Sequence, residues 1–515
     1  MTSKFPVHLL VVCHGLWGNR DHISYMCATA EKYAQQDPLP VVDVSTPRPK
    51  LVVLQPYMNE FTNTYDGIDI CSERVVEEID EEISKIEDDG GRVTKFSIVG
   101  YSLGGLIARY ALGVLGSRSP NFFDAVEPVN FTTFASPAIG MPRYKTFWSS
   151  FTTFLGSRLL SRTGAQLFGK DRFLPYSFKN GTGSTTNSGS ATPTKAFGCC
   201  NSVKLDSSEQ TKSHSSVLQK QRIKETRAWF RKKEKADTLL AVLADPRYSF
   251  YKTLKRFKNI SIYANTVGDR TVPFPTGGIS VTDPFAKALK KTRRDLVAQK
   301  LDPDSVILDV RDGGLDLKLD ESGVLIESYD EKFTSSKTRA NGPTPKPLPL
   351  IRVPLLMRPS TYPFSRTVSW ALVIFLPVAL PLFVGYLVIK SSSFGRSSRK
   401  RIIEIRDKWG YGRAGTLGRV GLGISDSSEE AEDIVFPTLK ELADEDEADA
   451  TQPVLTESQL LMIHHLNALP QLKKYYAYFP EVRNSHGTII VRDPSISAHH
   501  AGKGVVKHWA KHFEL

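Results

Sequence analysis

Two rhythms of apolar and polar positions alternate along the first half of the chain. Short apolar runs of strand length occur at 7–13 (VHLLVVC), 51–54 (LVVL), 95–100 (KFSIVG), 129–134 (VNFTTF) and 259–264 (NISIYA). Runs of this length, nearly unbroken and bounded by turn residues, read as strands buried on both faces. Between the second and third, Ile70, Val75, Val76, Ile79, Ile83 and Ile86 recur at helical spacing with acidic residues between them. The third run leads at once into LGGLIARYALGVLG, a second helical pattern. Strands alternating with helices predict an α/β fold with a mainly parallel sheet covered on both faces.

Three stretches depart from this rhythm. Residues 180–236 are rich in Gly, Ser and Thr and then strongly basic, the composition of an insertion without its own core. Residues 368–389 (VSWALVIFLPVALPLFVGYLVI) carry no charge, enough for roughly 33 Å of helix at 1.5 Å per residue. Core helices keep a polar face and this one has almost none, so membrane embedding is the expected role. Pro377 and Pro381 sit at its middle, where a helix would bend. Basic residues flank it, and 424–452 is an acidic stretch of linker character. The expected organisation is a catalytic core over 1–285, a linker and peripheral segment over 286–360, and a membrane-embedded segment over 366–390. A basic then acidic linker over 391–452 and a C-terminal segment over 453–515 complete it.

Composition changes this picture little. Forty per cent apolar and 24% charged residues describe a globular protein. The net charge of +12 is patchy, concentrated at 220–235 and 390–406. No zinc spacing or RNA-binding signature accompanies it, which argues against nucleic acid and for an anionic membrane surface. Five irregularly spaced cysteines do not form a disulfide framework and fit a reducing compartment. The apolar run after MTSKFP leads directly into a turn with catalytic character, so it reads as a strand and not as a cleaved signal.

Chemistry enters at Gly100-Tyr101-Ser102-Leu103-Gly104, a G-x-S-x-G pattern between a strand and a helix. A serine on such a sharp turn needs small residues on either side, and the helix start aims N–H groups at the reacting carbon. This context predicts an α/β-hydrolase fold with Ser102 as nucleophile. An oxyanion hole needs two converging backbone donors. One is expected from Leu103, the other from the loop after the first strand (VVCHGLWG), where Leu16 is the first candidate and Trp17 the second. His14 falls too early for a catalytic base and reads as structural.

HGLWGN, FTNTYDGID (61–69), GYSLGGLIARYALG and EPVNFTTFASPAIG (127–140) together resemble the fungal putative serine esterases, most of all the lipid-droplet phospholipases of yeasts and moulds. The resemblance covers about 5–175, 240–285 and 453–495. It implies a cytosol-facing hydrolase that removes acyl chains from glycerophospholipids at droplet or membrane surfaces.

The fold orders its triad Ser, acid, His. Asp269, in GDRTVP just after the strand NISIYAN, is the expected acid, with Asp245, Asp302 and Asp309 as alternatives. His464 and His465 lie in a helical pattern, and the C-terminal histidines read as a basic tail. His486 lies in a loop (VRNSHGTIIVRD) where the resemblance places a Ser-His pair, and is the expected base. Ser102 and Asp269 precede the apolar segment and His486 follows it. A single membrane crossing would separate them, so a re-entrant hairpin bent near Pro377 and Pro381 is expected, with lipid-droplet or endoplasmic-reticulum localisation. No metal or organic cofactor and no obligate protein partner is called for. Phospholipid or neutral lipid is the expected substrate; a thioesterase, a small-ester esterase and a non-catalytic membrane tether are the alternatives. Residues 141–175, rich in Phe and Leu, are the candidate lid.

Overall fold

The computed structural model describes residues 4–36, 48–145, 149, 153, 156–171, 173, 238–331, 366–408 and 451–515. The apolar runs become strands: β1 (Phe5–Cys13), β2 (Lys50–Leu54), β3 (Gly91–Tyr101), β4 (Glu127–Phe134) and β5 (Asn259–Asn265). The amphipathic stretch forms α2 (Ile68–Asp88), and α3 (Leu103–Gly116) follows β3 directly. β6 (Leu315–Leu319), β7 (Leu325–Glu331) and β8 (Leu472–Ala477) complete an eight-stranded sheet in the order β2-β1-β3-β4-β5-β8-β7-β6. Its first six strands pair in parallel and the last two are antiparallel.

Helices cover both faces, as continuous apolar strands require. On one side α2, α3, α5 (Leu239–Ala244) and α6 (Ser249–Leu254) pack on β1, β3 and β4. On the other, α1 (Ser24–Gln36) and α10 (Lys503–Lys511) bury Met26, Val505, Val506 and Trp509. The C-terminal region is therefore core and not a basic tail. Val505, Val506 and Trp509 fall on one face of α10, and Lys507 and His508 between them disguise that face in the sequence.

One further expectation needs correction. Of the stretch expected as linker and peripheral segment, α7 (Pro284–Ala298) is a capped amphipathic helix, and β6 and β7 extend the sheet. The apolar segment does not turn back at Pro377 and Pro381. A single helix, α8 (Arg366–Lys408), runs through both. Each proline removes one backbone donor, a local loss that the helical residues on either side outweigh. Ile374 and Leu382 on this helix are 67% and 70% exposed. Among the described residues, no helix is long and apolar enough to cross a membrane. The insertion over 180–236 and residues 424–450 of the acidic stretch lie outside the described residues.

Register decides where chemistry can occur. Cys13 pairs with Gly100, Tyr101 with Phe134, Phe134 with Tyr263, and Asn265 with Ala477. The carboxyl ends of five parallel strands thus form one edge, and the loops that leave them converge. Open α/β sheets place their sites at such edges.

Candidate active site

Ser102 leaves β3 with φ 55° and ψ −124°, a region that non-glycine residues rarely occupy. Its N–H donates to Phe134 O at 2.9 Å, and it caps the N-terminus of α3. The turn closes only because its flanks are small. A Cβ at Gly100 would strike the backbone of Gly105, and one at Gly104 would strike the carbonyls of Cys13 and His14. The loop after β1 therefore lies directly against the start of α3.

Asp269 and His486 arrive from the neighbouring strand ends. His486 Nε2 lies 3.0 Å from Ser102 Oγ, and His486 Nδ1 lies 2.9 Å from Asp269 Oδ2. All three side chains are buried. Asp269 also accepts from the Asn265 amide at 2.8 Å and from the Thr271 and Val272 N–H groups at 2.9 and 2.8 Å. Burial pushes its carboxyl up, but contact with His486, then the Val272 N–H and the Asn265 amide, outweigh burial. The carboxyl is held below its usual range. An ionised Asp269 orients the ring with Nε2 toward the hydroxyl.

His14 is buried, with Nδ1 3.0 Å from Gly15 O, and takes no part in this contact set. The Trp17 N–H donates to Thr64 Oγ1 at 3.2 Å, which occupies it and leaves Leu16 as the donor candidate on this loop. Leu103 is the first residue of α3, so its N–H has no acceptor within the helix. A Cβ at Gly15 would come within 2.8 Å of Ser102 Cβ, which puts Leu16 one residue from the nucleophile.

The alternative acids lie elsewhere. Asp245 bonds Arg247, and Asp309 accepts from the Tyr478 hydroxyl. His464 and His465 lie on α9 (Glu457–Asn467), a surface helix with a capping box. His508 contacts the Tyr263 hydroxyl at 2.9 Å and is half-buried. Of the candidate lid, α4 (Ser161–Leu167) is tied to the body through Thr163, Gln166 and the Arg162–Asp69 ion pair. Residues 146–148, 150–152, 154–155, 172 and 174–175 lie outside the described residues. No group of three or more His, Cys, Asp or Glu suited to a metal occurs among the described residues.

Residues 3–181 match the family described as putative serine esterase (DUF676). The chain is 30% identical over 180 residues to the putative lipase YDR444W of Saccharomyces cerevisiae, covering 34% of this chain and 24% of that protein. It is 31% identical over 141 residues to the putative lipase ROG1 of the same yeast, covering 27% and 18% respectively. With the putative lipase C4A8.10 of Schizosaccharomyces pombe it shares 21% identity over 276 residues, 53% of this chain and 26% of that one. The chain thus matches only about a quarter, or less, of these relatives' length. The matched residues 3–181 include Leu16, Ser102 and Leu103; Asp269 and His486 lie beyond them.

Three residues support this contact set, and two of them, Asn265 and Tyr101, escape a reading of the sequence. Asn265 donates to Asp269 and also to Ser485 O. The Tyr101 hydroxyl donates to His486 O at 3.1 Å, and its ring lies 5.1 Å from the imidazole. Ser485 Oγ donates to Val267 O. Tyr101 occupies the variable position of the serine motif, and Asn265 is an ordinary strand-end residue. Neither carries a local signal.

Proposed function

We propose that the chain is a serine lipase of the α/β-hydrolase type that cleaves acyl esters of glycerophospholipids at a lipid-droplet or endoplasmic-reticulum surface, facing the cytosol. The observation that carries this reading is the continuous contact Ser102–His486–Asp269 at the carboxyl edge of a parallel sheet. The esterase-family segment and the lipase names of its relatives support an ester substrate. The apolar first part of α8, with its exposed Ile374, Phe375 and Leu382, supports a lipid surface.

In this mechanism His486 Nε2 accepts the hydroxyl proton as Ser102 Oγ bonds to the ester carbonyl carbon. The carbonyl electron pair moves to oxygen, where the Leu16 and Leu103 N–H groups receive it; such a donor contributes about 3 kcal/mol. The tetrahedral species collapses, and the imidazolium returns its proton to the leaving lysolipid alcohol. Water then attacks the acyl-enzyme by the same proton path, releasing fatty acid and restoring Ser102. Asp269 stabilises the imidazolium throughout.

Lipidomics on mixed liposomes with the purified protein tests the reading. Fatty acid and lysophospholipid should form with wild type. Ser102→Ala should lower the rate by about 10⁴-fold or more. Equal turnover by both proteins would overturn the proposal.

A further inference from the structure

α8 has two unlike parts. From residue 391 onward it lies against the catalytic body. Ser391 Oγ donates to Leu159 O, the Phe394 ring lies 5.9 Å from Tyr65, and Ser398 and Ile402 are buried. The charged contact comes from Arg401. Its Nε and Nη2 reach Asp66 Oδ2 and Oδ1 at 3.0 and 2.7 Å, and Nη2 also donates to Thr62 O at 3.1 Å. Before residue 391, the described apolar side chains project from the body.

The contacted segment is the 3-10 turn Phe61–Asp66. The same turn holds the oxyanion loop, since Phe61 N–H donates to Gly18 O and Thr64 Oγ1 accepts from Trp17 N–H. An aromatic file, Trp17–Tyr65–Phe394, joins that loop to α8 with centroid spacings of 6.2 and 5.9 Å. Beside it Trp17, Tyr57 and Phe61 are 53%, 50% and 57% exposed. Exposed aromatic rings suit the level of lipid head groups, and the exposed Lys390, Arg396, Arg399 and Lys400 suit anionic ones.

We propose that the Tyr57, Phe61 and Trp17 rings and the apolar part of α8 form one docking surface for an anionic phospholipid layer, and that Arg401 is the positioning residue that pins α8 so the mouth of the Ser102 site meets that layer. The proposal rests on the lipase reading. Fixing the angle between an embedded helix and the mouth aligns the lipid ester with the nucleophile, and misalignment by about an ångström is costly. The 3-10 turn does not depend on Arg401 for its shape. Asp66 keeps its 2.6 Å contact with Arg74, and Thr163 still bonds Thr64 O.

The test compares two substrates with the full chain. One is a water-soluble butyrate ester; the other is phospholipid in vesicles of phosphatidylcholine and phosphatidylserine. Arg401→Ala should keep soluble-ester turnover within about twofold and keep vesicle sedimentation. It should lower vesicle-lipid turnover about tenfold. Arg401→Lys should restore part of the loss, and Phe61→Ser should lower vesicle turnover selectively. Unchanged vesicle turnover in Arg401→Ala would overturn the proposal, as would equal loss on both substrates or loss of sedimentation. Soluble-ester turnover that survives Ser102→Ala would overturn the lipase reading instead.

Discussion

α3 and the first part of α8 are both apolar around most of their circumference, yet they meet opposite surroundings. α3 is buried along almost its entire length, and its glycines let α6 approach so closely that a Cβ at Gly113 would run into the Phe250 ring. On α8, Ile374, Phe375, Val378, Leu382 and Ile389 are exposed. An apolar helix states that it avoids water; it does not state what replaces the water. Small residues distinguish the two cases. α3 carries Gly105, Gly113 and Gly116 at its contacts, whereas 368–389 carries large side chains with a single glycine, Gly385.

The comparison can be broken from the α3 side. Gly113→Leu should destabilise the protein by about 3 kcal/mol or abolish folding, because the Phe250 ring has nowhere to move. Urea unfolding reads this out, and an unchanged midpoint would mean that the α3–α6 approach is not close. The corresponding intervention on α8 is Phe375→Ser with Leu382→Ser. Vesicle affinity should fall by ~3 kcal/mol in total, while the free energy of urea unfolding changes by less than about 0.5 kcal/mol. A stability loss without an affinity loss would assign α8 to a protein contact.

Acid should weaken the buried sheet beneath α3. His8 is fully buried beside Ser97, and burial, then the Lys95 charge, lowers its imidazole to about 3. The unfolded chain takes up a proton near pH 6.5 where the folded chain does not. Stability from this group is therefore complete above that value and falls as pH drops toward about 3. The loss amounts to roughly 2 kcal/mol by pH 5. Denaturation midpoints should follow this slope, and His8→Gln should flatten it. The smallest effect expected is at the loop between the two regions. Thr64→Val removes the acceptor for Trp17 N–H and should slow ester turnover about fivefold, the equivalent of ~1 kcal/mol.

The strands and the serine turn were legible because their signals are local: five apolar runs, and small residues at 100 and 104. Asp269 was legible from its place after a strand. His486 was not legible from pattern alone; it contacts a residue 384 positions away, and only the resemblance singled it out. Asn265 and Tyr101 were invisible, since each acts through a partner brought in by strand pairing. The C-terminal helix was hidden because three apolar residues separated by Lys and His give a narrow stripe. The bend at Pro377 and Pro381 failed for a different reason: each proline removes a single helical hydrogen bond, and the helix-compatible residues on both sides carry α8 through.

The most direct measurement is the rate at which a fluorophosphonate labels the chain, with the labelled residue located by mass spectrometry. Wild type should be labelled at Ser102, and His486→Ala should react at least about 10³-fold more slowly. Labelling at another residue, or an undiminished rate without the imidazole, would contradict the account.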